Sequence, residues 1–113
     1  MKTANKIKVF ISSPYTKGDV AQNVRTQIDM ANTLMNNDLI PFVPLYSHFQ
    51  HMIHPRPYND WIAVDLTWLE TCDCVLRLPG ESKGGDIEVK HAISLGKPVF
   101  YSTDELFQYF NLI

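Results

Sequence analysis

The feature that most constrains this chain is its alternation of short apolar runs with longer amphipathic ones. Ile7–Ser12 reads as a strand, followed by the turn-rich Ser13-Pro14-Tyr15-Thr16-Lys17-Gly18. Asp19 suits an N-cap, and Val20, Val24, Ile28, Ala31, Leu34 and Met35 recur at helical spacing up to about Asn36. Leu39–Val43 predicts a second strand, with Pro41 better suited to a sheet edge than to its centre. The segment Pro44–Tyr58 has no clean period and is rich in Pro, His and aromatic residues, which predicts a long functional loop. Asn59 or Asp60 then caps a helix through about Glu70, with Ile62, Leu66 and Leu69 on one face. Asp73–Leu78 is a third strand, Pro79–Gly85 a glycine-rich loop and Asp86–Leu95 a helix. Val99–Tyr101 is the last strand, and Thr103 caps a closing helix.

This order predicts an α/β fold, because each right-handed crossover between parallel strands needs a helix. The expected architecture is a flavodoxin-like or Rossmann-like three-layer sandwich around a four- to five-stranded parallel sheet. A length of 113 residues allows one domain, over residues 1–113. In such sheets ligands sit beyond the carboxyl ends of the strands, where the strand order reverses. That point brings the Ser12–Gly18 loop beside the Pro79–Gly85 loop.

A formal charge of −2 argues against a nucleic-acid polymer as partner, which needs a basic face. No apolar run approaches the roughly 20 residues of a membrane span, so no membrane partner is expected. Met1–Lys6 leads into the first strand without a signal-peptide core. Cys72 and Cys74 are poorly placed to bridge each other and read as small buried thiols. The expected location is therefore the reducing cytoplasm.

The glycine-rich loop carries the strongest chemical signal. Gly84 and Gly85 let backbone N–H groups approach a ligand, the following helix adds its positive end, and Ser82 and Lys83 add a hydroxyl and a charge. Together they read either as a cradle for one phosphate or as an ordinary strand-to-helix turn. The Gly-Lys-Ser/Thr ending of an ATPase loop is missing. Glu88 lies a few residues on, either facing that ligand or exposed on the helix surface. A carboxylate beside an anion-binding turn suits an electrophile carrying a nearby phosphate, such as the anomeric carbon of a nucleotide. Asp65 is flanked by Val64, Leu66 and Trp68, so it is either a solvated flank or a functional carboxyl in a partly dry pocket. Tyr15 could reach across the switch point from the tip of the first loop. Arg77 interrupts an apolar strand and needs a partner: Glu81, Asp86 or the ligand. His48, His51 and His54 are spaced by three, which drifts about 60° per step on a helix, so metal binding is not expected. An aromatic and histidine-rich lid over a base fits these residues better.

Three separated blocks resemble a known superfamily across nearly the whole chain. They are Phe10-Ile11-Ser12-Ser13-Pro14-Tyr15, then Asp65-Leu66-Thr67-Trp68-Leu69 running into Cys72-Asp73-Cys74-Val75, then Ser82-x-Gly84-x-x-x-Glu88 followed by Ala92 and Gly96-Lys97-Pro98. The superfamily is that of the nucleoside 2-deoxyribosyltransferases, which includes the 2'-deoxynucleoside 5'-phosphate N-hydrolases and the hydroxymethyl-CMP hydrolases. The resemblance implies that Glu88 is a nucleophile toward C1' of the sugar, that Tyr15 orients it, and that Asp65 contacts or protonates the departing base. Ser12, Ser13, Thr16, Lys17 and Gly18 of the first loop, with His48, Ser82, Lys83, Gly84 and Gly85, are the candidate substrate-binding residues. The transferases commonly carry an aspartate where this chain has Ser82. A neutral donor there resembles the nucleotide hydrolase branch and favours a 5'-phosphate. The expected function is thus an N-glycosidase acting on a small nucleotide. Base exchange between nucleosides and a non-catalytic nucleotide sensor are the alternatives. No cofactor and no metal are expected. The resemblance implies a homodimer or larger homo-oligomer, to which Phe107, Tyr109 and Phe110 add exposed aromatics.

Overall fold

The computed structural model describes residues 6–112, so most of the Met1–Lys6 approach to the first strand lies outside the described residues. Strands β1 (Lys8–Ser12), β2 (Ile40–Phe42), β3 (Cys74–Arg77) and β4 (Val99–Phe100) form one parallel sheet in the order β2-β1-β3-β4. Helices α1 (Val20–Asn36) and α5 (Thr103–Tyr109) cover one face, and α3 (Tyr58–Leu69) and α4 (Lys83–Ser94) the other. This is a flavodoxin-like α/β sandwich with four strands among the described residues. Pro41 lies in β2 at the sheet edge, where a missing N–H is tolerated. No helix among the described residues is long and apolar enough to cross a membrane.

Strand alternation decides which side chains reach the site. Val9 and Ile11 of β1, with Cys74 and Leu76 of β3, pack under α1 and α5. Phe10 and Val75 point to the opposite layer, against Leu69 and Ala92. The next residues of that parity, Ser12 and Arg77, are aligned across the two strands and therefore share the α3–α4 face. An otherwise apolar face thus ends in two polar groups at its carboxyl edge. Cys72 and Cys74 are free and buried in different apolar clusters.

Helix α1 is capped by Asp19, whose carboxylate accepts from Gln22 N–H at 3.0 Å. It ends where Asp38 adopts a left-handed φ of 61°. Its buried stripe is Val24, Gln27, Ala31 and Leu34, and Met35 is half exposed rather than part of it. Gln27, at 1% exposure, holds Ser13 Oγ through its amide N–H at 2.9 Å and accepts from Leu45 N–H at 3.0 Å. One buried amide therefore ties the first loop to the segment after β2.

That segment is not the structureless loop its sequence suggests. A 3-10 turn over Pro44–Tyr46 leads into helix α2 (Ser47–Ile53). No residue of α2 is buried, so the helix imprints no apolar period on its sequence. The proline opening the 3-10 turn supplies a fixed φ instead. Other boundaries shift for similar reasons. α3 starts at Tyr58 behind Pro57, so Asn59 and Asp60 lie inside its first turn rather than capping it. α4 starts at Lys83, three residues before the expected Asp86, because Ser82 caps it. α5 is capped by Ser102, whose hydroxyl accepts from Glu105 N–H at 3.1 Å, and Thr103 is already helical. Phe107 belongs to the core and Phe110 packs against it; of the three closing aromatics, Tyr109 is the exposed one.

Candidate active site

A cavity of about 580 Å³ opens at the carboxyl edge of the sheet, between the loops after β1 and β3. Strand order reverses at this crevice, since β2 lies on one side of β1 and β3 on the other. Glu88 and Asp65 both line it. Glu88 belongs to the stripe Gly85, Glu88 and Ala92 that α4 turns toward the sheet, and it is 6% exposed. Asp65 occupies the site-facing side of α3, one helical turn before buried Leu69.

Ser12 Oγ donates to Glu88 Oε1 at 2.7 Å. Burial pushes the Glu88 carboxyl up to about 8, the nearby Asp65 charge adding to the rise; the Ser12 hydrogen bond and the Arg77 charge act in the opposite sense. Burial likewise pushes Asp65 up to about 7, its hydrogen bond with Glu88 opposing the rise. The two carboxyls form a pair that holds a proton near neutrality. Tyr58 lies close enough for both charges, after its own burial, to raise its hydroxyl.

The phosphate-cradle residues are arranged by the α4 cap. Ser82 Oγ accepts from Gly85 N–H at 2.9 Å, leaving its own O–H to donate outward. Gly84 and Gly85 therefore lie in the first helical turn and not in a free loop. Each glycine has its own reason. A Cβ on Gly85 would lie 2.8 Å from Arg77 Nε, and one on Gly84 would lie 3.3 Å from the Tyr58 hydroxyl. Arg77 finds its partners in backbone carbonyls and in the expected Asp86: Nη1 donates to Leu78 O, Nη2 to Gly80 O at 2.8 Å, and Asp86 forms an ion pair with Nη2. Asp86 is 3.8 Å from Nη2 and largely exposed, outside the cavity wall. Glu81 pairs instead with Lys17 at 3.7 Å, bridging the two loops across the cavity mouth.

The other expected residues divide. Ser13, Tyr15, Thr16, Lys17, Ser82, Lys83, Gly84 and Gly85 line the cavity. Ser12, Gly18 and His48 do not. Ser12 stands behind Glu88, and His48 stands behind Tyr15, its Nδ1 2.6 Å from the tyrosine hydroxyl. The hydrogen bond to the glutamate comes from Ser12, whereas the Tyr15 hydroxyl is engaged by His48. Asn23 shapes the loop by donating to Tyr15 O at 2.8 Å and Lys17 O at 2.7 Å. His51, one of the three histidines expected to lie over a base, lines the cavity, and Arg56, Tyr58 and Trp61, for which the sequence carries no motif, line it too. Trp61 and Asp65 are one turn apart on α3; that spacing from the acid was the available signal.

Among solved structures, the fold is similar to a 2-desoxiribosyltransferase from Leishmania mexicana, with a TM-score of 0.60 at 17% identity. The match covers 82% of this chain and 61% of that one, so the chain spans less than two thirds of the neighbour's length. At this identity the likeness is one of fold. Comparison with curated proteins found no match. The family profile described as a domain of unknown function (DUF7768) matches residues 7–102, and the chain belongs to that family.

Proposed function

We propose that this protein is an N-glycosidase that hydrolyses the base–sugar bond of a (deoxy)nucleoside 5'-monophosphate. The observation that carries the reading is the pairing of buried Glu88 with partly buried Asp65, set beside the Ser82-capped start of α4. Glu88 as carboxylate attacks C1'. The C1'–N bond breaks, and the base departs with the electron pair as protonated Asp65 gives it a proton. A glycosyl ester on Glu88 results. Asp65, now ionised, takes a proton from water, which attacks C1' and regenerates the Glu88 carboxylate. The cycle proceeds from the state in which the shared proton lies on Asp65; burial favours that proton on Glu88, and Ser12 and Arg77 act against burial, toward the charged glutamate. The 5'-phosphate fits the Ser82 hydroxyl, Lys83 and the positive end of α4. Tyr15, held from behind by His48, lines the first-loop side of the cavity.

The principal test is free base released from a panel of ribo- and deoxyribonucleoside monophosphates, followed by chromatography. Saturable binding with no base released from any of them would leave a nucleotide sensor and sink the enzyme. Base exchange is the second reading, because the fold neighbour is named as a transferase. A competing free base in the same assay would then yield the exchanged product. A homodimer or larger assembly in the cytoplasm accompanies the proposal, with light scattering as its check.

Two further results are expected. Activity requires one proton on the pair, so the pH–rate profile is expected to be bell-shaped. It falls below about 7 as a second proton binds and above about 8 as the last one leaves. A profile flat from pH 6 to 9 would contradict the shared proton. Second, Ser82→Ala is expected to lower the preference for monophosphates over nucleosides by roughly 10-fold, through one charge-assisted hydrogen bond and a weakened cap. An unchanged preference would remove the phosphate from this turn.

A further inference from the structure

One wall of the cavity carries a histidine whose hydrogen-bonding role is already decided by its neighbours. His51 Nδ1 accepts from Trp61 Nε1 at 2.9 Å and from the backbone N–H of Arg56 at 3.2 Å. An indole N–H and an amide N–H can only donate. Two donors converging on one ring nitrogen exclude a proton from it, so this network assigns the proton to Nε2. The ring meets the Trp61 ring edge-on, with centroids 5.9 Å apart and planes at 74°, which holds its orientation. His51, Arg56 and Trp61 all line the cavity. The Arg56 guanidinium is also a donor without acceptor capacity, and Asp60 Oδ2 already takes its Nε–H at 3.1 Å. This wall therefore carries a ring whose Nε2 is fixed as a donor and cannot become an acceptor by switching tautomer.

The three functions of the cavity separate along its walls. The carboxyl pair sits against the sheet and the capped helix start lies beside it. The aromatic wall built by α2 and the first turns of α3 is left for the base, which stacks on such side chains. Resting on the nucleotide N-glycosidase reading, we propose that His51 selects the base. Its Nε2–H donates to an oxygen on the base edge, so bases with an oxo group there are taken in preference to counterparts with an exocyclic amine. An amine on that edge would set donor against donor and leave both unpaired, a mismatch expected to give roughly 10- to 100-fold discrimination.

The test compares inosine with adenosine monophosphate, and deoxyuridine with deoxycytidine monophosphate. Binding is measured on Glu88→Gln so that substrate is not consumed, and base release on the unsubstituted protein. The oxo member of at least one pair is expected to bind 10- to 100-fold more tightly, and His51→Phe to bring that ratio within about threefold. Trp61→Phe keeps an aromatic ring and removes the indole N–H that helps to fix the tautomer, so it is expected to narrow the ratio even if His51→Phe fails to fold. The 15N spectrum of the histidine ring is expected to show the Nε2–H form. Equal or tighter binding of the amino members, an Nδ1–H ring, or no binding of any of the four would overturn the proposal. A retained oxo preference without base release would overturn the glycosidase reading alone and leave His51 as the selector of a bound nucleotide.

Discussion

Glutamine in place of Glu88 is expected to lower base release by roughly a thousandfold or more, because the glycosyl ester of the proposed cycle forms on the Glu88 carboxylate. The same substitution is expected to stabilise the fold, and the sign follows from the carboxyl's position. Its ordinary value is 4.5, and burial raises it to about 8 in the folded chain. At low pH both states hold the proton and the carboxyl imposes no penalty. As pH rises from about 4.5 toward about 8, the unfolded chain releases its proton while the folded one retains it, so stability falls across that window. Glutamine escapes this loss. At pH 8 the variant is expected to be more stable by on the order of 3 kcal/mol, raising Tm by roughly 10 °C. At pH 5 the two proteins are expected to melt close together. Thermal melts at both pH values, with chromatography of released base, give the check. A lower Tm at pH 8, or base release near the original rate, would refute the assignment. A residue whose removal improves the fold and abolishes its chemistry is the expected signature of a functional carboxyl.

Arg77→Met is expected to act in the opposite direction, destabilising the protein by about 3–5 kcal/mol. The guanidinium is buried, and its loss strands the carbonyls of Leu78 and Gly80 while removing the positive charge that opposes the raised Glu88. The turn Pro79–Ser82 loses its clamp, so affinity for monophosphates is expected to fall along with stability. The alkaline limb of the pH–rate profile is expected to move upward as Glu88 becomes harder to ionise. A coupling follows from the packing. Gly85→Ala alone places a Cβ 2.8 Å from Arg77 Nε and forces the clamp to move. In the Arg77→Met background, a flexible thioether stands there instead, and the alanine is expected to be tolerated better than in the parent. Urea denaturation of the four proteins of this cycle measures it. An unchanged midpoint for Arg77→Met, or strictly additive effects, would show that the clamp does not support the turn.

The sequence was most legible where a physical constraint is local. Asp19 caps α1 because a carboxylate in that position satisfies Gln22 N–H. Pro41 belongs to an edge because it has no N–H to pair. The alternation of strands and helices required parallel crossovers, and hence a cleft where the order reverses. The seven residues of α2 were opaque for the converse reason: a helix with no buried side chain has no apolar rhythm. The α4 start lies ahead of the expected Asp86 because a serine before Lys83-Gly84-Gly85 serves as a cap as well as a ligand donor.

Local chemistry and chain order thus determined the sandwich, the cleft and the presence at it of the first loop and the Ser82 turn. Tertiary structure alone decided the partners. Strand parity in β1 and β3 aimed Ser12 and Arg77 at the α4 layer, so Ser12 came to hold the glutamate and Arg77 to clamp the glycine turn. The packing of α3 beside α4 brought Asp65 to Glu88 and raised both carboxyls. Gln27 fastened the segment after β2 onto the site, while Trp61 on α3 fixed the ring of His51. These contacts join residues far apart along the chain, and their strength comes from burial, which no stretch of sequence possesses until the layers close over it.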